Sequence, residues 1–120
     1  MSILDLAGKL ITERVRDDTI DKSNDVIDGV LKSQQAQLIY EKLKHLSTND
    51  KEAVKELIRL TVDSAIHNTL WLVEESPDVD LTVFFNDTEV HLSEESDGLS
   101  GELYSEDGWI ERFSKHPPTY

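Results

Sequence analysis

The sequence predicts a mainly helical α+β domain, with about three principal helices, one β-hairpin near 79–92 and a short C-terminal helix. Three observations predict it. Apolar residues recur at three- and four-residue steps through most of residues 1–76, the spacing of one face of an α-helix. After Pro77 the period changes to two: Val79, Leu81, Val83 and Phe85 alternate with Asp80, Thr82 and Phe84. Helical spacing then returns briefly in Trp109, Ile110 and Phe113, ahead of Pro117-Pro118.

The first helix is expected over about 2–22, with Ile3, Leu4, Ala7, Leu10, Ile11 and Val15 as its inward stripe. Ser23-Asn24 weakens it, and Gly29 interrupts the spacing of Val26, Ile27, Val30 and Leu31. A second helix is expected over 34–46, with Ala36, Ile39, Leu43 and Leu46 inward and Glu41, Lys42 and Lys44 in water. Ser47-Thr48-Asn49-Asp50 is a cluster of capping residues whose side-chain oxygens accept from the free N–H groups of a starting helix. The third helix runs from there to about Glu75. Val54, Leu57, Ile58, Val62, Ala65, Ile66, Leu70 and Trp71 form its broad apolar face. Pro77 ends it, because proline disfavours helix in the residue before it.

Asn86-Asp87 tolerates the positive φ angles of a two-residue hairpin turn. That turn sets Phe85 opposite Thr88, Val83 opposite Val90 and Leu81 opposite Leu92. Thr82, Glu89 and His91 then share the other face. A lone hairpin is marginal in water, so the apolar face must pack on the helices. Residues 93–98 form an acidic connection. Leu99, Leu103 and Tyr104 suggest a short helix, Asp107 a cap for the last one, and residues 117–120 a frayed tail.

At 120 residues the chain is expected to be one domain: a helical part (1–76), hairpin plus C-terminal helix (77–116) and the tail. It has no cysteine, which excludes disulfides, thiolate metal sites and cysteine nucleophiles. Met1-Ser2-Ile3-Leu4-Asp5-Leu6 lacks the basic start and long apolar run of a signal peptide. No stretch approaches the roughly 18 apolar residues of a membrane span. A cytoplasmic protein is the expectation.

The charge is divided unequally. Residues 1–73 hold 12 acidic and 10 basic side chains, net −2, and residues 74–120 hold 13 acidic and two basic, Arg112 and Lys115, net −11; together they make the total of −13. Such a field repels nucleic acid and anionic membrane and attracts cations and basic proteins. The expected contact residues are Glu94, Glu95, Asp97, Glu102, Tyr104, Glu106 and Asp107, the aromatic ring serving as an anchor among charges.

Signals for chemistry are weak. The carboxylates do not follow the calcium-loop pattern, and His45, His67, His91 and His116 have no metal-ligand spacing. No catalytic residue, metal ligand or cofactor is assigned. His67 stands four residues after Asp63, so Asp63 could orient its ring as half of a general-base pair. A buried, hydrogen-bonded structural histidine is the blander and favoured alternative. Trp109 and Phe113 fit a staple that docks the terminal helix.

Asp97-Gly98-Leu99-Ser100-Gly101-Glu102-Leu103-Tyr104, taken with Gly108-Trp109-Ile110-Glu111-Arg112-Phe113-Ser114-Lys115, resembles a group of small acidic bacterial proteins of unassigned function. The chain also resembles, more loosely, immunity proteins that neutralise secreted bacterial toxins. That second resemblance implies a tight complex with a toxin domain rather than catalysis. The favoured function is therefore a non-enzymatic binding module for a basic partner protein. The alternatives are a small carboxylate/histidine enzyme and a self-associating helical protein whose 54–71 face forms a homodimer core.

Overall fold

The computed structural model describes residues 1–118. Ser2 caps the first helix, its Oγ accepting the Asp5 N–H at 3.1 Å. Helix α1 (Ile3–Leu10) passes through a π-helical stretch (Ile11–Asp17) into α2 (Asp18–Ile27). The helix thus runs beyond the expected end near residue 22. It stops where Gly29 takes a positive φ of 76°. A Cβ there would lie 2.7 Å from the Tyr40 ring, so the turn needs glycine for both backbone and space.

The π stretch changes which residues face inward. Residues four apart lie on one face of the helix. Thr12, Arg16 and Ile20 are accordingly all buried, with Asp17 beside them. Leu10 and Val15, expected in the stripe, are exposed instead.

Helix α3 (Gln34–Leu43) is capped by Ser33, and α4 (Thr48–Glu75) by Ser47, which accepts the Asp50 N–H at 3.1 Å. In α3, Ala36 is buried, Leu43 half-buried and Ile39 exposed, which corrects the inward placement of Ile39. In α4, Ile66, Leu70 and Val73 are buried, but Leu57, Ala65 and Trp71 are exposed. The eight residues expected on one face span too wide an arc for the neighbours available. The remaining elements cover the other side of the helix.

Strands β1 (Thr82–Phe85) and β2 (Thr88–His91) pair antiparallel in the expected register, with Val83 opposite Val90 and Phe85 opposite Thr88. Asn86 and Asp87 have φ of 49° and 66°, the turn that matches strand twist. The ladder continues through Leu92 N–H to the Leu81 carbonyl at 2.9 Å. Val90 and Leu92 enter the core beside Ile66, Leu70 and Val73. On the opposite face Thr82 Oγ1 lies 3.1 Å from His91 Nδ1.

The expected acidic connection contains a single helical turn, α5 (Leu92–Glu95). A 3₁₀ helix (Leu99–Leu103) follows, and then α6 (Trp109–Phe113). Gly108, not Asp107, is the residue at the start of α6, and no side chain caps it. Trp109 is fully buried, and the approach of α6 to α1 depends on Gly8, where a Cβ would collide with the indole ring. The staple role of Trp109 is thus met. Pro117 is held to the body through its carbonyl, so the tail is anchored at that residue. The rest of the expected frayed tail, residues 119–120, lies outside the described residues.

Candidate functional site

Two constellations stand out: a buried arginine that ties the chain's two halves together, and an acidic end that has lost its cations to that junction.

Arg16 is fully buried at the centre of the junction. Its Nε donates to Asp63 Oδ1 at 2.5 Å and its Nη2 to Asp63 Oδ2 at 3.2 Å, a bidentate fork on α4. Nη1 donates to Ser114 Oγ at 2.7 Å and to the His116 carbonyl at 3.1 Å. Nη2 also donates to the Pro117 carbonyl at 3.1 Å. The five donors of the guanidinium thus have five acceptors. Asp17, also buried, accepts from Ser114 Oγ at 2.6 Å and from the Lys115 N–H at 3.1 Å. Residues 114–117 are therefore strapped across the π stretch.

Two further contacts close the strap. Asp21 accepts from Lys115 Nζ at 2.6 Å and lies 2.7 Å from His116 Nε2. The Lys115 hydrogen bond holds the Asp21 carboxyl below its usual range, and His116 adds to this against the opposing effect of burial. Arg112 Nη2 reaches Asp5 Oδ1 at 2.6 Å and lowers that carboxyl in the same way.

This arrangement overturns the pairing of Asp63 with His67. Both Asp63 oxygens face Arg16. His67 is half-buried, its ring centroid 5.6 Å from that of Tyr104, and its Nδ1 has no hydrogen-bond partner among the described residues. His67 is then neither half of a general-base pair with Asp63 nor fully hydrogen-bonded. Among the described residues no three histidine or carboxylate side chains are grouped as metal ligands. The cleft beside the strap is lined by Glu13, Arg14, Asp17, Asp18, Phe113 and Lys115, where carboxylates face cations rather than an acid–base pair.

The acidic end takes shape from the same contacts. Its two cations, Arg112 and Lys115, go to Asp5 and Asp21, both in the first helix. Glu94, Glu95, Asp97, Glu106 and Asp107 are exposed, and among the described residues none has an ion pair. Glu102 is half-buried and accepts from Ser96 Oγ at 2.9 Å. Tyr104 is half-buried against the core, its hydroxyl 3.4 Å from the Asp63 carbonyl. Thus five of the seven expected contact residues are open to solvent, and the other two are partly engaged within the fold.

Arg16 was the residue that sequence reasoning missed. Its signal was Asp63, one of two ionisable acids or bases other than histidine between Leu57 and Val73, the other being Arg59. A lone carboxylate in an apolar helix face needs a cation if it is buried. Among the described residues no helix is long and apolar enough to cross a membrane. No protein-family profile, curated protein or solved structure matches the chain.

Proposed function

We propose that the protein is a non-enzymatic binding module whose acidic end docks on a basic partner protein. The observation that carries this reading is the run of exposed carboxylates, Glu94, Glu95, Asp97, Glu106 and Asp107, none of which has an ion pair among the described residues. Unpaired like charges raise the local field, which speeds encounter with a cationic surface and repels wrong partners. Glu102 and Asp107 both act on Arg112, so they lie on the Arg112 side of this surface. The resemblance to toxin-neutralising immunity proteins makes a secreted toxin domain the first partner class to test.

The test begins with capture of partners from the source cell and its neighbours, followed by association kinetics with the basic protein recovered. The association rate should fall as salt rises, since the field shortens to about 8 Å at physiological ionic strength. Replacing Glu94, Glu95 and Asp97 together by amides should slow it further. A rate indifferent to both changes would eliminate the reading.

A further inference from the structure

We infer that the outer face of α4 is a self-association surface, on which a second copy of this chain packs antiparallel about Ser64. This inference is independent of the acidic-end reading, since it concerns a different face and a different partner.

The surface is defined by what it lacks. The chain is 31% charged, yet from Leu57 to Val73 every exposed residue is uncharged. Leu57, Leu60, Ser64, Asn68, Trp71 and Leu72 fall on one side of the helix, at the three- and four-residue spacing of a helix–helix seam. Leu57 is 60% exposed and Trp71 49%. The four large side chains together expose roughly 400 Å², within the range of a monomer's largest apolar patch, which is often functional. Helix α4 has 28 residues, about 42 Å of length at 1.5 Å per residue. The molecule is 49 Å long, so α4 runs nearly end to end with its outer face uncovered. The radius of gyration, 16.7 Å, exceeds the about 14 Å of a compact domain of this size.

Charge selects the occupant and its direction. Two molecules of net charge −13 can approach closely only across a neutral surface, and this is such a surface. A basic partner would find no carboxylate here to pair with. Residues 41–56, around the start of α4, carry four lysines and four carboxylates, whereas residues 74–80 at its far end carry four carboxylates and no lysine or arginine. A parallel pair would set the two acidic ends side by side. An antiparallel pair sets each acidic end against the neutral end of the other copy.

The sequence fits that direction. Ser64 lies midway between Leu57 and Trp71, so a twofold axis there places Leu57 of each copy against Trp71 of the other. The small side chains of Ser64 and Ala65 at the axis let the helices approach to the 8–10 Å of packed pairs. The leucine and tryptophan contacts at each end of the seam would then exclude water from both halves.

Two measurements on the full chain test this. Sedimentation equilibrium should find dimers whose dissociation constant rises more than about tenfold when Leu57→Glu and Leu60→Glu are combined, because each places an unpaired charge in the seam. Leu38→Glu, on exposed α3 surface, should leave dimerisation unchanged, with helicity followed by circular dichroism for each variant. The chain has no cysteine, so Ser64→Cys gives a second readout that needs no destabilising change. Oxidation should join it into a covalent dimer, since residues at a twofold axis come within disulfide reach, and Leu38→Cys should stay monomeric. A wild-type chain that remains monomeric at about 0.5 mM, the concentration regime of weak pairs, would overturn the inference. So would dimers that tolerate the double glutamate change, or a Ser64→Cys chain that crosslinks no faster than Leu38→Cys.

Discussion

The helical body and the acidic end solve the same electrostatic problem in opposite ways. In the body, surface carboxylates have nearby cations: Glu13 with Lys9, Asp18 with Arg14, Asp28 with Lys55 and Glu41 with Lys44. Such exposed pairs contribute little individually, but they keep the local field small. In the acidic end no carboxylate among the described residues has a lysine or arginine partner, because Arg112 and Lys115 cross to the body. The difference shows that a charge surplus can be concentrated at one end by where a few cations point, not by composition alone. It also means that the junction has two roles: it joins the halves and it leaves one of them bare.

The largest expected effect comes from breaking the junction at its centre. Arg16→Ala would remove the bidentate guanidinium from the buried Asp63 carboxylate and the hydrogen bonds to two backbone carbonyls. Loss of one member of a buried pair costs about 3–5 kcal/mol. Urea unfolding should show that loss, and the 114–116 amides should gain hydrogen exchange, since the strap loses its anchors. Arg16→Met combined with Asp63→Leu should cost less than Arg16→Ala, because the Asp63 charge goes with its partner; Asp17, 3.7 Å from Arg16 Nη1, keeps its hydrogen bonds from Ser114 and the Lys115 N–H. A strap whose exchange is unaltered in Arg16→Ala would mean that its attachment lies elsewhere.

Next is the apolar side of the same junction. Gly8→Ala puts a methyl group into the Trp109 ring, so α6 must shift away from α1. Overpacking of this kind costs about 1–3 kcal/mol. Tryptophan fluorescence should change with it, because Trp109 is buried and Trp71 already half exposed. Gly101→Ala, where a Cβ meets nothing within 4 Å, is the matched control with little expected effect.

Local signals carried much of this architecture and long-range pairing did not. The hairpin was legible because a two-residue turn and an alternating pattern fix each other: shifting the register by one residue would turn Val83 and Val90 outward. The cap Ser47 was legible because capping is settled within four residues. The π stretch was not, since Thr12, Arg16 and Asp17 are polar and an amphipathic count places polar residues outside. Arg16 is buried against acceptors 47 and about 100 positions away, and Asp17 against donors 97 and 98 positions away. The acidic surface could be read from composition, but not the loss of Arg112 and Lys115 to the body. The open face of α4 was legible only as one of the alternatives, because the pattern of Leu57 and Trp71 looks the same whether a helix buries it within the chain or offers it outward.

A smaller effect separates the two ends by pH. Asp21 and Asp5 have carboxyls lowered by Lys115 and Arg112, respectively. A carboxyl that is depressed on folding adds stability above its unfolded value, about 3.9, and that contribution is lost as pH falls through the lower folded value. Acidification from pH 5 to 3 should therefore weaken both crossings between the C-terminal segment and the first helix. Asp21→Asn should reduce stability at pH 6 and flatten its dependence below pH 5. Chemical denaturation at several pH values measures both. Equal slopes in wild type and variant would show that Asp21 does not contribute through its charge.

The smallest effect on the fold is expected where the effect on binding should be greatest. Glu94, Glu95 and Asp97 are exposed and lack ion pairs among the described residues, so removing their charges breaks no contact. Three fewer negative charges also relieve repulsion within a segment of net charge −11. The triple amide variant should thus unfold at the same temperature as wild type or slightly higher, and the increment should shrink in high salt as screening removes the repulsion. The neutral control is Lys9→Gln, which breaks the exposed Lys9–Glu13 pair in the body and should move stability slightly the other way. Thermal unfolding at low and high salt decides it. A clear loss of stability in the triple variant would mean that these carboxylates hold the fold and are not held in reserve for a partner, and the contrast between the two ends would lose its functional meaning.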